Sequence, residues 1–115
     1  MWRIDSQKEM KTGGKAFLSV LLNADEDDFE LYTALVENGF ASLKSGRSAA
    51  AEEEFRQALQ FAELTWGPYN WFAADALEHL AYALEKQGRA RESFVAQHLS
   101  DNIADRQLSG GSNLL

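Results

Sequence analysis

Residues 67–88 read GPYNWFAADALEHLAYALEKQG: a turn, a helix and a second turn. The last glycine acts as a ruler for the rest of the chain. Gly46 stands 42 residues before Gly88 in the same setting, with Lys44-Ser45-Gly46-Arg47 answering Lys86-Gln87-Gly88-Arg89. A recurrence at that period predicts a repeat architecture in which one supersecondary unit stacks on the next.

Apolar spacing on either side of these turns gives helices and no strands. Before Gly46, Phe29, Tyr32, Leu35, Val36, Gly39, Phe40 and Leu43 recur at three- and four-residue intervals, the mark of one apolar helix face. The acidic, cap-forming run at 23–28 precedes that helix and suits its positive end. After Gly46, Ser48 is the expected cap of a second helix with the stripe Ala51, Phe55, Ala58, Leu59 and Ala62, ending at Trp66-Gly67-Pro68. Asn70 is the expected cap of the third, with the stripe Ala73, Ala74, Leu77, Leu80, Ala81 and Leu84. A fourth helix over about 90–105 presents Phe94, Val95, Leu99 and Ile103 as its apolar face. Residues 106–115 are expected to form a flexible tail, and 1–24 an N-terminal arm holding a short apolar helix. The predicted fold is all-α, with antiparallel helical hairpins over 25–105.

Composition is consistent with this. The 115 residues suffice for one domain, 45% hydrophobic and 25% charged. The net charge of −7 is unevenly spread: the first 24 residues hold four basic and two acidic side chains, the remainder seven basic and sixteen acidic. An acidic body repels phosphate backbones, which disfavours nucleic acid, and attracts basic peptides or protein patches. The chain has no cysteine, so disulfides and thiolate metal sites are excluded. No apolar run reaches the ~18 residues a membrane span needs. The short apolar segment 16–22 is read as a buried helix and not as a signal segment, since the residues before it include acids and no small-x-small cleavage site follows. A cytoplasmic location is expected.

These residues carry a family resemblance. Leu35 and Gly39 before the first turn, with Ala51, Phe55 and Ala58 after it, resemble the tetratricopeptide repeat, and the period is similar to the 42-residue repeats of the kinesin light chain type. In that family small residues let helices approach and a large side chain plugs between them. Around Gly88 the match continues through Leu77, Leu80, Ala81, Leu84 and Ser93, but Gln97 and Ser100 stand where Phe55 and Ala58 stood. The resemblance covers about 29–105 and implies two repeats, about 27–66 and 69–105, stacked as a short right-handed superhelix. Stacked hairpins usually need roughly three repeats for stability. The segment 17–22 is therefore expected to pack on the first hairpin, and the fourth helix to serve as a cap with a polar outer face.

The resemblance also implies a groove lined by the first helix of each repeat: Thr33, Val36, Phe40 and Lys44, then Asp75, Glu78, Tyr82 and Lys86. Aromatic Phe40 and Tyr82 beside acidic Asp75 and Glu78 suit an apolar side chain flanked by Lys or Arg on a peptide or protein partner. The expected function is a non-catalytic interaction module or scaffold. The alternative is a self-associating structural protein, a homodimer whose groove is filled by its symmetry mate. Phe40 and Tyr82 occupy the places where carboxylate-clamping members of the family carry asparagine, which argues against binding of a chain terminus. Glu78 and His79 stand where the light-chain subtype often has two asparagines. Asp75 and His79 share a helix face, yet two ligands fall short of a metal site. The Glu52-Glu53-Glu54 run belongs near a helix start. No nucleophile elbow, phosphate loop or zinc signature is present, so neither an enzyme nor a cofactor is expected.

Overall fold

The computed structural model describes residues 25–113, with side chains to 108. Four helices follow in order, α1 (Glu26–Lys44), α2 (Ser48–Trp66), α3 (Trp71–Lys86) and α4 (Ala90–Asn113), and there is no strand among the described residues. The fold is all-α. The packing expected of the 17–22 segment lies outside the described residues.

The chain divides into two compact units, Met1–Thr33 and Ala34–Leu115. In the described part of the first, Asp25 caps α1 by accepting from the Asp27 N–H at 2.9 Å and the Asp28 N–H at 3.4 Å. Those donors have no partner in the helix itself. Phe29 and Tyr32 are buried there.

In the second unit the repeat appears as recurring turn geometry. Gly46 has φ 75° and Gly88 φ 76°, the left-handed conformation that glycine adopts without a Cβ penalty. The Arg47 N–H donates to the Ser42 carbonyl at 2.8 Å and the Gly46 N–H to Leu43 at 3.0 Å; 42 residues on, Arg89 donates to Leu84 at 3.0 Å and Gly88 to Glu85 at 2.9 Å. These paired bonds form a Schellman ending, which satisfies the last carbonyls of α1 and α3 and turns the chain back. The turn between α2 and α3 works differently. Asn70 accepts from the Ala73 N–H at 2.9 Å to cap α3, and its amide donates back to Ala62 at 3.2 Å and to Gly67. Ser48, the expected cap of α2, is instead its first helical residue: Arg47 holds the cap position and makes no side-chain cap bond. The Schellman turn already sets the entry of the chain into α2.

The α1–α2 hairpin closes on Phe55, which is fully buried. A Cβ added at Gly39 would lie 2.3 Å from the Phe55 ring, so only glycine leaves room for the ring. Phe55 also meets Phe40 edge-on at 5.5 Å between centroids and His79 of α3 at 5.4 Å. One side chain thereby joins three helices. α3 packs against both α2 and α4, and its predicted stripe is buried. Phe72, Ala76 and Ala83 are buried too, so α3 is covered well beyond the single face its periodicity suggests.

α4 docks through a face that its hydropathy does not predict. Of the expected stripe only Ile103 is buried, while Phe94, Val95 and Leu99 are exposed. The buried positions are Ser93, Ala96, Ser100 and Ile103. Ser93 donates its hydroxyl to the Ala81 carbonyl and Ser100 to the Ala74 carbonyl, each at 2.8 Å. Small side chains let the helices approach, and the two bonds satisfy the hydroxyls that burial would otherwise strand. The outer face of α4 is consequently not the polar cap expected. The segment 106–115, expected as a tail, is helical as far as Asn113, since each further residue adds a backbone bond once the helix is nucleated. At its far end Arg106 lies over the Tyr69 ring, 4.1 Å from the centroid.

A polar cluster ties the α3–α4 turn to α2. Glu52 accepts from Gln87 at 3.0 Å and Arg89 at 2.6 Å on one oxygen, and from Arg56 at 2.8 Å on the other. Partial burial pushes the Glu52 carboxyl up, but the bonds from Gln87, Arg56 and Arg89 together outweigh it and hold the group below the usual carboxylate range. Arg89 also grips Glu92 at 2.5 Å.

Two outcomes follow from this packing. Gly39→Ala gains about 1 kcal/mol of helix propensity but overpacks the Phe55 ring by about 1–3 kcal/mol; a urea titration is expected to show a lower midpoint, and a stabilised variant would contradict the ring-in-slot assignment. Glu52→Gln is expected to cost about 1–2 kcal/mol at neutral pH, the scale for bonds to a charged group. Because the folded-state pKa is depressed, this contribution is present above the unfolded value and lost as pH falls through the folded value. The gap between wild type and variant should therefore begin to shrink as pH falls below the ordinary glutamate range and vanish once it passes the depressed folded-state value, and a gap independent of pH would argue against the cluster.

Candidate partner-binding groove

The opening between α1, α3 and α4 lies where the second hairpin departs from the first. In the first hairpin, Gly39, Phe40 and Phe55 form the plugged slot just described. Forty-two residues later the corresponding residues are Ala81, Tyr82 and Gln97. Gln97 is exposed and bonds to Asp101 at 3.1 Å, so no ring fills the second slot. A groove of about 650 Å3 lies there instead, with Ala81 and Ser93 among the residues lining it.

Three aromatic side chains from three helices surround this groove, Phe40 on α1, Tyr82 on α3 and Phe94 on α4. All three are exposed, by 43%, 48% and 71%, which makes them available to a partner without any rearrangement. Two carboxylates, Glu78 and Glu85, line it as well. Lys86 sits over the Tyr82 ring at 5.1 Å from the centroid, a cation–π contact that already occupies one side of the tyrosine. His79 forms part of the wall, with its ring 4.8 Å from Phe40 and its Nε2 3.3 Å from Asp75 Oδ1.

Of the residues expected to line a groove, Phe40, Glu78 and Tyr82 meet here. Val36 does not present a surface, because it is buried. Its position three residues before Gly39 turns it toward the packed side of α1. Asp75, Lys44 and Lys86 are exposed but do not line this opening. Thr33 belongs to the first unit, where its hydroxyl donates to the Phe29 carbonyl at 2.8 Å. Sequence reasoning missed His79, Glu85 and the whole α4 contribution. The 42-residue offset that pairs Ser93 with Ala51 and Gln97 with Phe55 held the information about α4, whereas its hydropathy pointed to the opposite face.

The arrangement suits recognition by burial and charge. No group of three or more His, Cys, Asp or Glu residues positioned to hold a metal occurs among the described residues. No helix among them is long and apolar enough to cross a membrane. Comparison with known proteins gives no match, whether to a family model, a curated protein or a solved structure.

The groove side chains divide by their load on the fold. Tyr82→Ala should leave stability within about 0.5 kcal/mol, as for an exposed position. Phe40→Ala removes a ring packed on both Phe55 and His79 and should cost about 1–2 kcal/mol, given what aromatic pairs contribute beyond area. Thermal melts of the two variants check this; equal losses would place Tyr82 in the core and disqualify it as a recognition residue.

Proposed function

We propose that this protein is a non-catalytic interaction module whose groove between α1, α3 and α4 receives a short segment of a protein partner. The observation that carries the reading is the convergence of exposed Phe40, Tyr82 and Phe94 on one opening, with Glu78 and Glu85 beside them. An apolar or aromatic side chain entering the vacant slot would lose its water against three rings, the chemistry typical of binding hot spots. Lys or Arg on either side of it would meet the two carboxylates, and the net charge of −7 would favour its approach. The recurrence of the Gly46 turn at Gly88, bond for bond, supports a tetratricopeptide-like pairing of hairpins as the scaffold.

The test is a titration followed by fluorescence anisotropy with two labelled short peptides. One carries a Phe-Leu pair flanked by lysines and the other the same pair flanked by glutamates. The basic peptide is expected to bind in the range of about 10–100 µM, at least tenfold more tightly than its acidic counterpart. Tyr82→Ala should weaken it about fivefold, the loss that marks a useful contact residue. Equal binding of both peptides, or binding indifferent to Tyr82→Ala, would remove the groove from consideration.

A further inference from the structure

Three of the larger apolar side chains of α4 flank its docked face, Phe94 beside the groove with α1 and α3, and Val95 and Leu99 beside an opening lined by Leu59, Leu77 and Leu80 of α2 and α3. Phe94, Val95 and Leu99 are all exposed, and the Phe94 ring lies nearly parallel to that of His98 one turn on, 6.1 Å between centroids with planes 6° apart. Arg91, His98 and Asp105 fall at seven-residue intervals along the same face, and such positions drift by only about 20° per step. They form a line with Phe94 on one side and Val95, Leu99 and Asn102 on the other. Arg91 and Asp105 are exposed, and among the described residues neither forms an ion pair within the chain.

We propose that this face binds α4 of a second copy of the chain, antiparallel, about a twofold axis passing beside His98. The occupant is identified by the way the charges on the face complement themselves. Arg91 and Asp105 lie equally far from His98, about 10 Å on either side at 1.5 Å per residue. Antiparallel pairing about His98 therefore sets Arg91 of each copy against Asp105 of the other. Parallel pairing would instead oppose Arg91 to Arg91 and Asp105 to Asp105, and like charges in contact are disfavoured. An interface in which position i meets j and j meets i is the isologous kind that closes a dimer. Val95 then falls between Leu99 and Asn102 of the second copy, and the partner helix covers Phe94. A single helix pair sits at the small end of specific interfaces, roughly 1,000 Å2 in total. The charge of −7 on each copy opposes association further at low salt, so a micromolar dimer is expected.

Phe94 is shared with the peptide groove, but Arg91 and Asp105, the residues that test the dimer, line no part of it. Sedimentation equilibrium of the full chain from about 5 to 500 µM should show a monomer–dimer equilibrium. Arg91→Asp and Asp105→Arg should each weaken it about tenfold, and the two together should restore it to within about threefold, as for an ion pair reversed across the axis. A chain monomeric throughout, or a double variant no better than the singles, overturns the proposal. A second measurement uses the absence of cysteine: under mild oxidation His98→Cys should form a disulfide-linked dimer and Arg91→Cys should not. The reverse pattern, or no cross-link in either, also overturns it. Because the second copy covers Phe94, peptide binding is measured on the Arg91→Asp chain under conditions where it is monomeric: no binding there counts against the groove alone, and a wild-type chain that binds peptide but stays monomeric throughout counts against the dimer alone.

Discussion

The Phe55 ring is the contact on which the described fold depends. It enters the space left by the missing side chain of Gly39, and it touches Phe40 on its own hairpin and His79 on the next helix. Burying a phenylalanine this fully is a large part of a small domain's margin. Its placement also sets how closely α1 and α2 approach and where α3 lies. The groove inherits its geometry from the same contact, because Phe40 and His79, held by the ring, are two of its walls.

The second hairpin keeps the turn and the close approach but not the plug. Ala81 stands for Gly39 and Gln97 for Phe55, so an internal packing partner gives way to an opening. Ser93 and Ser100 replace Ala51 and Ala58, and their hydroxyls find α3 carbonyls. The helix stays docked without a large side chain at its centre. Two serines thus help hold α4 in place, with Ala96 and Ile103, while Phe94, Val95 and Leu99 stay exposed. The cluster around Glu52 has a related effect at the turn, where Gln87 and Arg89 bind the α3–α4 connection to α2 through a single carboxylate.

Local chemistry made much of this legible. Asn70 is a cap and was readable as one; the left-handed glycines at 46 and 88 were marked by their repeated context; the alanine and leucine stripe of α3 is buried as its spacing implied. The site was legible in part. Phe40, Glu78 and Tyr82 came together because helix periodicity and the repeat place them on one surface. Val36 did not join them, since a residue near the edge of an apolar face can turn either way and its neighbours decide.

Local sequence thus established the four helices of the described residues, the turns between them and the all-α class, because caps, turn glycines and periodicity act within a few residues. It ended α4 near 105, whereas the structure continues it to Asn113. The face on which α4 docks, the vacancy opposite Gln97 and the nearness of Glu52 to Arg89 were settled only when the helices packed. Hydropathy ranks Phe94 above Ser93, but the distance between two helix backbones is limited by their largest interposed side chain. At the α3–α4 crossing that limit selected the serines.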